Sequence, residues 1–150
     1  GANMAFLKTV LEQTAGFDLS VGRVGKCLLS NEEILLWERI KAIGGVGYYS
    51  PQIVVGHHVP ASRLTQKNCL RRLYWEGVSQ AVGSLLIKPQ PSYVRVWRSA
   101  KSIGRSILVP QRLSAMLRRT ENPTLFDRKC RVMQDLGYAA GMLGLIRGKA

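Results

Sequence analysis

Gly47-Tyr48-Tyr49-Ser50-Pro51-Gln52-Ile53-Val54-Val55-Gly56-His57-His58-Val59-Pro60 is the stretch on which the reading of this chain turns. Tyr48-Tyr49 and Ile53-Val54-Val55 are aromatic and β-branched runs of the kind that fill strands, with a turn signal at Ser50-Pro51 between them. Two short extended segments are expected, and Pro51 argues against one uninterrupted central strand. Just upstream, Ser30 reads as a helix N-cap, and Leu36, Ile40 and Ile43 recur at helical spacing until Gly44-Gly45 ends the run. Helix followed by strands makes the opening of the chain α/β. Two strands alone are a poor sheet, since independent stability takes about three, so residues 1–60 read as the end of a larger α/β domain.

Outward from that stretch, Met4 to Gln13 reads as a strand or turn passing into a helix that Gly16 ends, and Phe17-Asp18 opens a loop rich in glycine from Gly22 to Lys26. Beyond Pro60, Leu70, Leu73/Tyr74, Gly77/Val78 and Ala81 form a helical stripe, while Arg63, Lys67 and Arg71 stack on another face. Lys88-Pro89-Gln90-Pro91 reads as a linker, dividing the chain into residues 1–87 and 92–150. In the second part, Val96/Trp97, Ala100, Ile103 and Ile107 make an apolar stripe opposite Arg98, Lys101, Arg105 and Arg112. A closing helix is marked by Val132, Leu136, Ala139, Leu143 and Ile146.

The net charge of +13 is uneven: residues 63–119 carry twelve basic groups against one acid, Glu76. Such a block meets something anionic. Three scattered cysteines, Cys27, Cys69 and Cys130, give neither a disulfide framework nor zinc-ligand spacing, which fits a reducing, cytoplasmic setting. No apolar run is long enough to span a bilayer. Trp97, Ile103, Ile107 and Leu108 interleaved with Arg95, Arg98, Lys101 and Arg105 fit a helix lying on an anionic membrane face.

The candidate chemistry lies at two places. Ser30-Asn31-Glu32-Glu33 puts two carboxylates at a helix start, and His57-His58 holds the chain's only imidazoles. Ser30-x-x-Glu33 also fits a capping box, in which Glu33 bonds back to the Ser30 backbone. A His pair on an extended segment points to opposite faces, so at most one of the two serves a given site.

Gly1-Ala2-Asn3-Met4-Ala5-Phe6, Gly16-Phe17-Asp18, Leu29-Ser30-Asn31-Glu32-Glu33, Tyr49-Ser50-Pro51 and Val55-Gly56-His57-His58-Val59-Pro60 with Arg63-Leu64-Thr65 occur in one order. Together they resemble the C-terminal half of bacterial family-2 glycosyltransferases of the GT-A fold, over residues 1 to about 80. The resemblance implies transfer of a sugar from a nucleotide-sugar donor to a glycan or lipid-linked acceptor at the inner face of the plasma membrane. It implies Glu33 as general base with Glu32 beside it, and His57 as a ligand to a divalent metal, Mg or Mn. It also implies Asn3, Asp18, Arg71, Arg72 and Trp75 as contacts to acceptor or diphosphate.

The chain departs from the family pattern in three ways. Its acidic pair is Glu-Glu rather than Glu-Asp, its Arg71-Arg72-Leu73-Tyr74-Trp75 lacks the processive signature, and it contains no Asp-x-Asp. The resemblance therefore implies a missing donor-binding half that holds most of the metal ligands, and no activity without it. The competing expectation is a basic protein that binds nucleic acid or a membrane surface without catalysis, resting on charge alone since no nucleic-acid motif accompanies it.

Overall fold

The computed structural model describes residues 3–23, 25, 27–117 and 121–146. Gly1 and Ala2 of the opening motif and Lys26 of the glycine-rich loop lie outside them. Among the described residues, six α-helices and one 3-10 turn make up the regular structure. In chain order they are α1 (Lys8–Gln13), α2 (Glu32–Ala42), the 3-10 turn (Ala61–Arg63), α3 (Gln66–Ile87), α4 (Ser92–Ile107), α5 (Pro110–Leu117) and α6 (Pro123–Met142).

Helix boundaries follow local chemistry. Thr65 caps α3 by accepting from the Asn68 N–H at 3.2 Å. Asn122 caps α6 by accepting from Thr124 at 2.9 Å and Leu125 at 3.3 Å, with Pro123 in the first turn, where its missing N–H does no harm. At the end of α2, Gly44 takes φ +78°, and the N–H of Gly45 reaches back to the Ile40 carbonyl at 2.9 Å. This is the left-handed closure that glycine permits without a Cβ penalty.

The helices pack chiefly through α6, which lies along α3 and also contacts α4 and α5. Small residues set the α3–α6 approach. A Cβ on Gly77 would land on the Gln134 carbonyl, one on Gly137 would land on the Tyr74 carbonyl, and one on Gly141 would sit 2.8 Å from the Ala81 Cβ. Leu29, Leu35, Leu36 and Ile40 form a buried cluster on the α2 side, while Val78, Ala81, Ala139 and Met142 fill the α3–α6 side. The chain exposes 10726 Å², against the roughly 7600 Å² of a compact monomer of its mass. Much apolar surface therefore has no cover from the chain itself.

The expected α/β architecture, with a GT-A fold in residues 1–87, is corrected by the structure. Among the described residues there is no sheet, only one isolated bridge residue, Cys27. Residues 45–60 are extended or turn-like but pair with nothing in a ladder, and Tyr48, Tyr49 and Val54 are 95%, 90% and 82% exposed. Strand-forming side chains set where a segment can pair, but a ladder also needs neighbours at hydrogen-bonding distance, and two short runs split by Pro51 do not provide them. A second correction concerns Ser30. The residue capping α2 is Asn31, at φ +81° and without a side-chain cap bond.

Candidate active site

Helix α2 starts with its two acids, Glu32 and Glu33, in the first turn, where the helix dipole favours negative charge. Ser30 is occupied elsewhere. Its N–H donates to the Ser79 hydroxyl at 3.0 Å, and Ser79, buried on α3, donates in turn to the Trp75 carbonyl at 2.8 Å. The start of the acidic helix is therefore tied to the middle of the basic helix. Asn31, between that tie and the acids, holds a left-handed conformation, which asparagine adopts more readily than other non-glycine residues.

The acids face an open cleft of about 660 Å³, lined by Arg23, Ser30, Glu32, Glu33, His57, Arg63 and Arg72. It is continuous through Arg23, Ser30, Arg63 and Arg72 with a recess of about 300 Å³ that adds Asn68, Arg71 and Glu76. On the far side of His57, Arg63 and Arg72 lies a hollow of about 610 Å³ with an apolar lining that includes Val59, Leu64, Leu73 and Phe126.

Several observations define the electrostatics. Hydrogen bonds donated to Glu33, its own backbone N–H among them, are what chiefly hold its carboxyl below the ordinary glutamate value, and the charge of Arg23 contributes least. Glu33 is therefore ionised at neutral pH. One carboxylate oxygen of Glu32, Oε2, is buried and has no hydrogen-bond partner among the described residues. A buried acceptor left unpaired costs about 1–3 kcal/mol, more when charged, so this oxygen stands ready for a donor. Arg23, Arg63 and Arg72 make no ion pair among the described residues, which leaves their planar donor forks available for phosphate oxygens.

The residues singled out in the sequence therefore separate into two groups. Glu32, Glu33, His57, Arg71 and Arg72 come together around the cleft and its recess. Trp75 is half-buried, edge-on to Tyr74 at 6.3 Å between ring centroids, and is not among the cleft-lining residues. Asn3 donates to the Ile53 carbonyl at 2.8 Å, tethering the extended segment to the chain start. Asp18 accepts from the Ser20 hydroxyl at 2.6 Å and from Arg39 at 2.6 Å, and Arg39 also donates to the Gly16 carbonyl at 3.2 Å. That clamp fixes the 16–20 loop to α2.

Two arginines at the cleft had weaker signals in the sequence. Arg63 stood out only as part of a basic face. Arg23 sits between Gly22 at φ +109° and Gly25 at φ +59°, in a loop whose glycine content marked a turn without saying where its arginine points.

Among the described residues no three His, Cys, Asp or Glu side chains converge on one position that could hold a metal ion. His57, exposed, shares the cleft with the two carboxylates.

Comparison with protein families, with characterised proteins and with solved structures finds no match. Together with the helical, sheetless architecture, this overturns the resemblance to the C-terminal half of family-2 glycosyltransferases. The class that the fold and site define is a helical protein with an acid-and-arginine cleft.

Proposed function

We propose that the cleft is the acceptor side of a glycosyl-transfer site, in which Glu33 takes a proton from an acceptor hydroxyl as that hydroxyl attacks a sugar leaving a nucleoside diphosphate. The observation that carries this reading is the convergence of Glu32, Glu33, His57, Arg63 and Arg72 on one cavity from separate parts of the chain. A general base must be ionised and within reach of the proton it takes, and Glu33 is ionised at neutral pH. Departure of a diphosphate builds negative charge that preorganised cations stabilise, the role open to Arg23, Arg63 and Arg72. Glu32 Oε2, an orphaned acceptor, suits an acceptor hydroxyl awaiting a partner. The adjoining hollow with Leu64, Leu73 and Phe126 suits the apolar face of a glycan or a lipid carrier. Three free cysteines support a cytoplasmic setting.

The test is nucleoside-diphosphate binding by calorimetry, followed by diphosphate release from a panel of sugar nucleotides with hydroxyl acceptors present. Arg63→Gln with Arg72→Gln should weaken diphosphate binding by about 100-fold, two charge-assisted contacts at roughly 1.5 kcal/mol each. Glu33→Gln should retain that binding while losing turnover. Diphosphate binding untouched by the arginine changes, or turnover that survives Glu33→Gln, rejects the reading. Salt-sensitive binding of oligonucleotides with no preference for a diphosphate would favour the non-catalytic, nucleic-acid alternative.

A further inference from the structure

Helix α4 is built inside out. The face it packs against the rest of the bundle is lined by serines, and its apolar face is turned to solvent. Ser99, Ser102 and Ser106 are buried. Ser99 donates to the Ala139 carbonyl at 3.3 Å, Ser102 to the Asp135 carbonyl at 3.0 Å, and Ser106 to the Asp135 carboxylate at 3.0 Å. Polar groups are thus satisfied inside the bundle, and rotating α4 to bury its apolar face would break all three bonds. On the opposite side Tyr93, Val96, Trp97, Ile107 and Leu108 are 76%, 56%, 61%, 55% and 81% exposed. At about 100° per residue these five fall within one stripe roughly opposite the serines.

The margin of that stripe is cationic. Arg98, Lys101 and Arg105 follow one another at helical spacing, and Lys101 lies 5.1 Å from the centre of the Trp97 ring. No Asp or Glu occurs anywhere from residue 77 to residue 120, a span that carries eight Lys and Arg. Arg105 already pairs with Asp135 at 3.3 Å, but a protein partner would have to supply the acids for Arg98 and Lys101, whereas an anionic lipid surface supplies negative headgroups at any register and a boundary layer that accepts Trp and Tyr. A 16-residue helix, about 24 Å long, is of suitable length to lie flat in that layer, and among the described residues no helix is long and apolar enough to cross it.

We infer that α4 is an in-plane membrane anchor: its Tyr93-Val96-Trp97-Leu108 stripe inserts among lipid headgroups, and Arg98 and Lys101 select an anionic surface. This docking is independent of the acid-and-arginine cleft. The experiment is flotation of the full chain with vesicles of phosphatidylcholine alone or mixed with phosphatidylserine, at low and high salt, with emission from Trp97 followed in a Trp37→Phe, Trp75→Phe background. The chain should float with the mixed vesicles at low salt, and Trp97 emission should shift to the blue. Trp97→Ser with Leu108→Ser should reduce partitioning by at least about tenfold, and Arg98→Gln with Lys101→Gln should remove the preference for phosphatidylserine.

All four positions are outside the buried core, and circular dichroism unchanged from the parent confirms intact variants. Partitioning equal in the parent and both double variants overturns the inference. So does a concentration-dependent dimer, seen by sedimentation and lost in Trp97→Ser with Leu108→Ser, in a chain that leaves vesicles untouched, because the stripe would then belong to a second copy.

Discussion

The Cα of Gly137 on α6 lies so close to the Tyr74 carbonyl on α3 that any side chain at position 137 would overlap it. Gly77 faces Gln134 in the same way one turn along. The two long helices therefore meet backbone to backbone. Gly137→Ala should cost about 3 kcal/mol or part the helices altogether. Gly83→Ala, on the partner helix α3 but with nothing within 4 Å of the added Cβ, should be neutral or stabilising by up to about 1 kcal/mol. Urea denaturation of the two variants checks the contrast, and equal effects would show that the helix contact is looser than described.

The left-handed Asn31 allows a second test. Asn31→Gly should leave stability unchanged or raise it by a few tenths of a kcal/mol, whereas Asn31→Ala should lower it by about 1 kcal/mol. Thermal melts would show the difference. If Asn31→Gly also weakens diphosphate binding, the strained backbone is fixing the direction of the acids.

Asp18 predicts a pH dependence. Hydrogen bonds from Ser20, then the charge of Arg39, lower its pKa below the ordinary aspartate value. A carboxyl lowered on folding contributes stability that is present above its unfolded pKa and lost as pH falls through its folded one. Asp18→Asn should therefore melt below the parent at neutral pH by an amount that shrinks as pH falls below about 3.8, the ordinary value, and a pH-independent gap between the two melts would remove the clamp.

Cys130 predicts a reactivity. Its thiol is pushed up to about 11, first by burial and then by its neighbour Cys69. Alkylation of Cys130 at neutral pH should lag behind that of an ordinary exposed thiol and rise about tenfold per pH unit until the thiol ionises. Mass spectrometry of a timed iodoacetamide reaction measures this directly. The same shift means that folding holds the proton more tightly, so its stabilising effect is complete below about pH 9 and lost as pH rises toward 11.

Ser79 links the acidic and basic sides of the cleft. Ser79→Ala would leave the Ser30 N–H without its acceptor, and should cost about 1–2 kcal/mol and loosen the start of α2. Hydrogen exchange at Ser30 reports the loss.

The helices were the legible part of the sequence. The Leu36-Ile40 spacing, the Gly44-Gly45 stop and the stripe through Leu73, Val78 and Ala81 all depend on nearest-neighbour rules that local sequence carries. The α/β reading failed because Tyr48-Tyr49 and Ile53-Val54-Val55 report only a preference for extension, while a sheet depends on what lies beside them. The inversion of α4 was equally hidden. Its periodicity showed an apolar stripe, but which face packs was decided by Ser102 and Ser106 meeting Asp135, thirty residues away in sequence. Of the site, the acids and His57 were visible as residue types, whereas the place of Arg23 at the cleft depended on the backbone directions of Gly22 and Gly25.

Helix α3 carries Arg71, Arg72 and Glu76 at the cleft, and in the same stretch it meets α6 backbone to backbone at Tyr74 and Gly77. The basic wall is thus a stiff jaw, unable to yield without separating the two longest helices. The facing wall carries His57 on an extended segment that joins no ladder among the described residues. The spacing of Arg71 and Arg72 is thus set by backbone contact between two helices, and for any anion in the proposed site it would act as a fixed gauge.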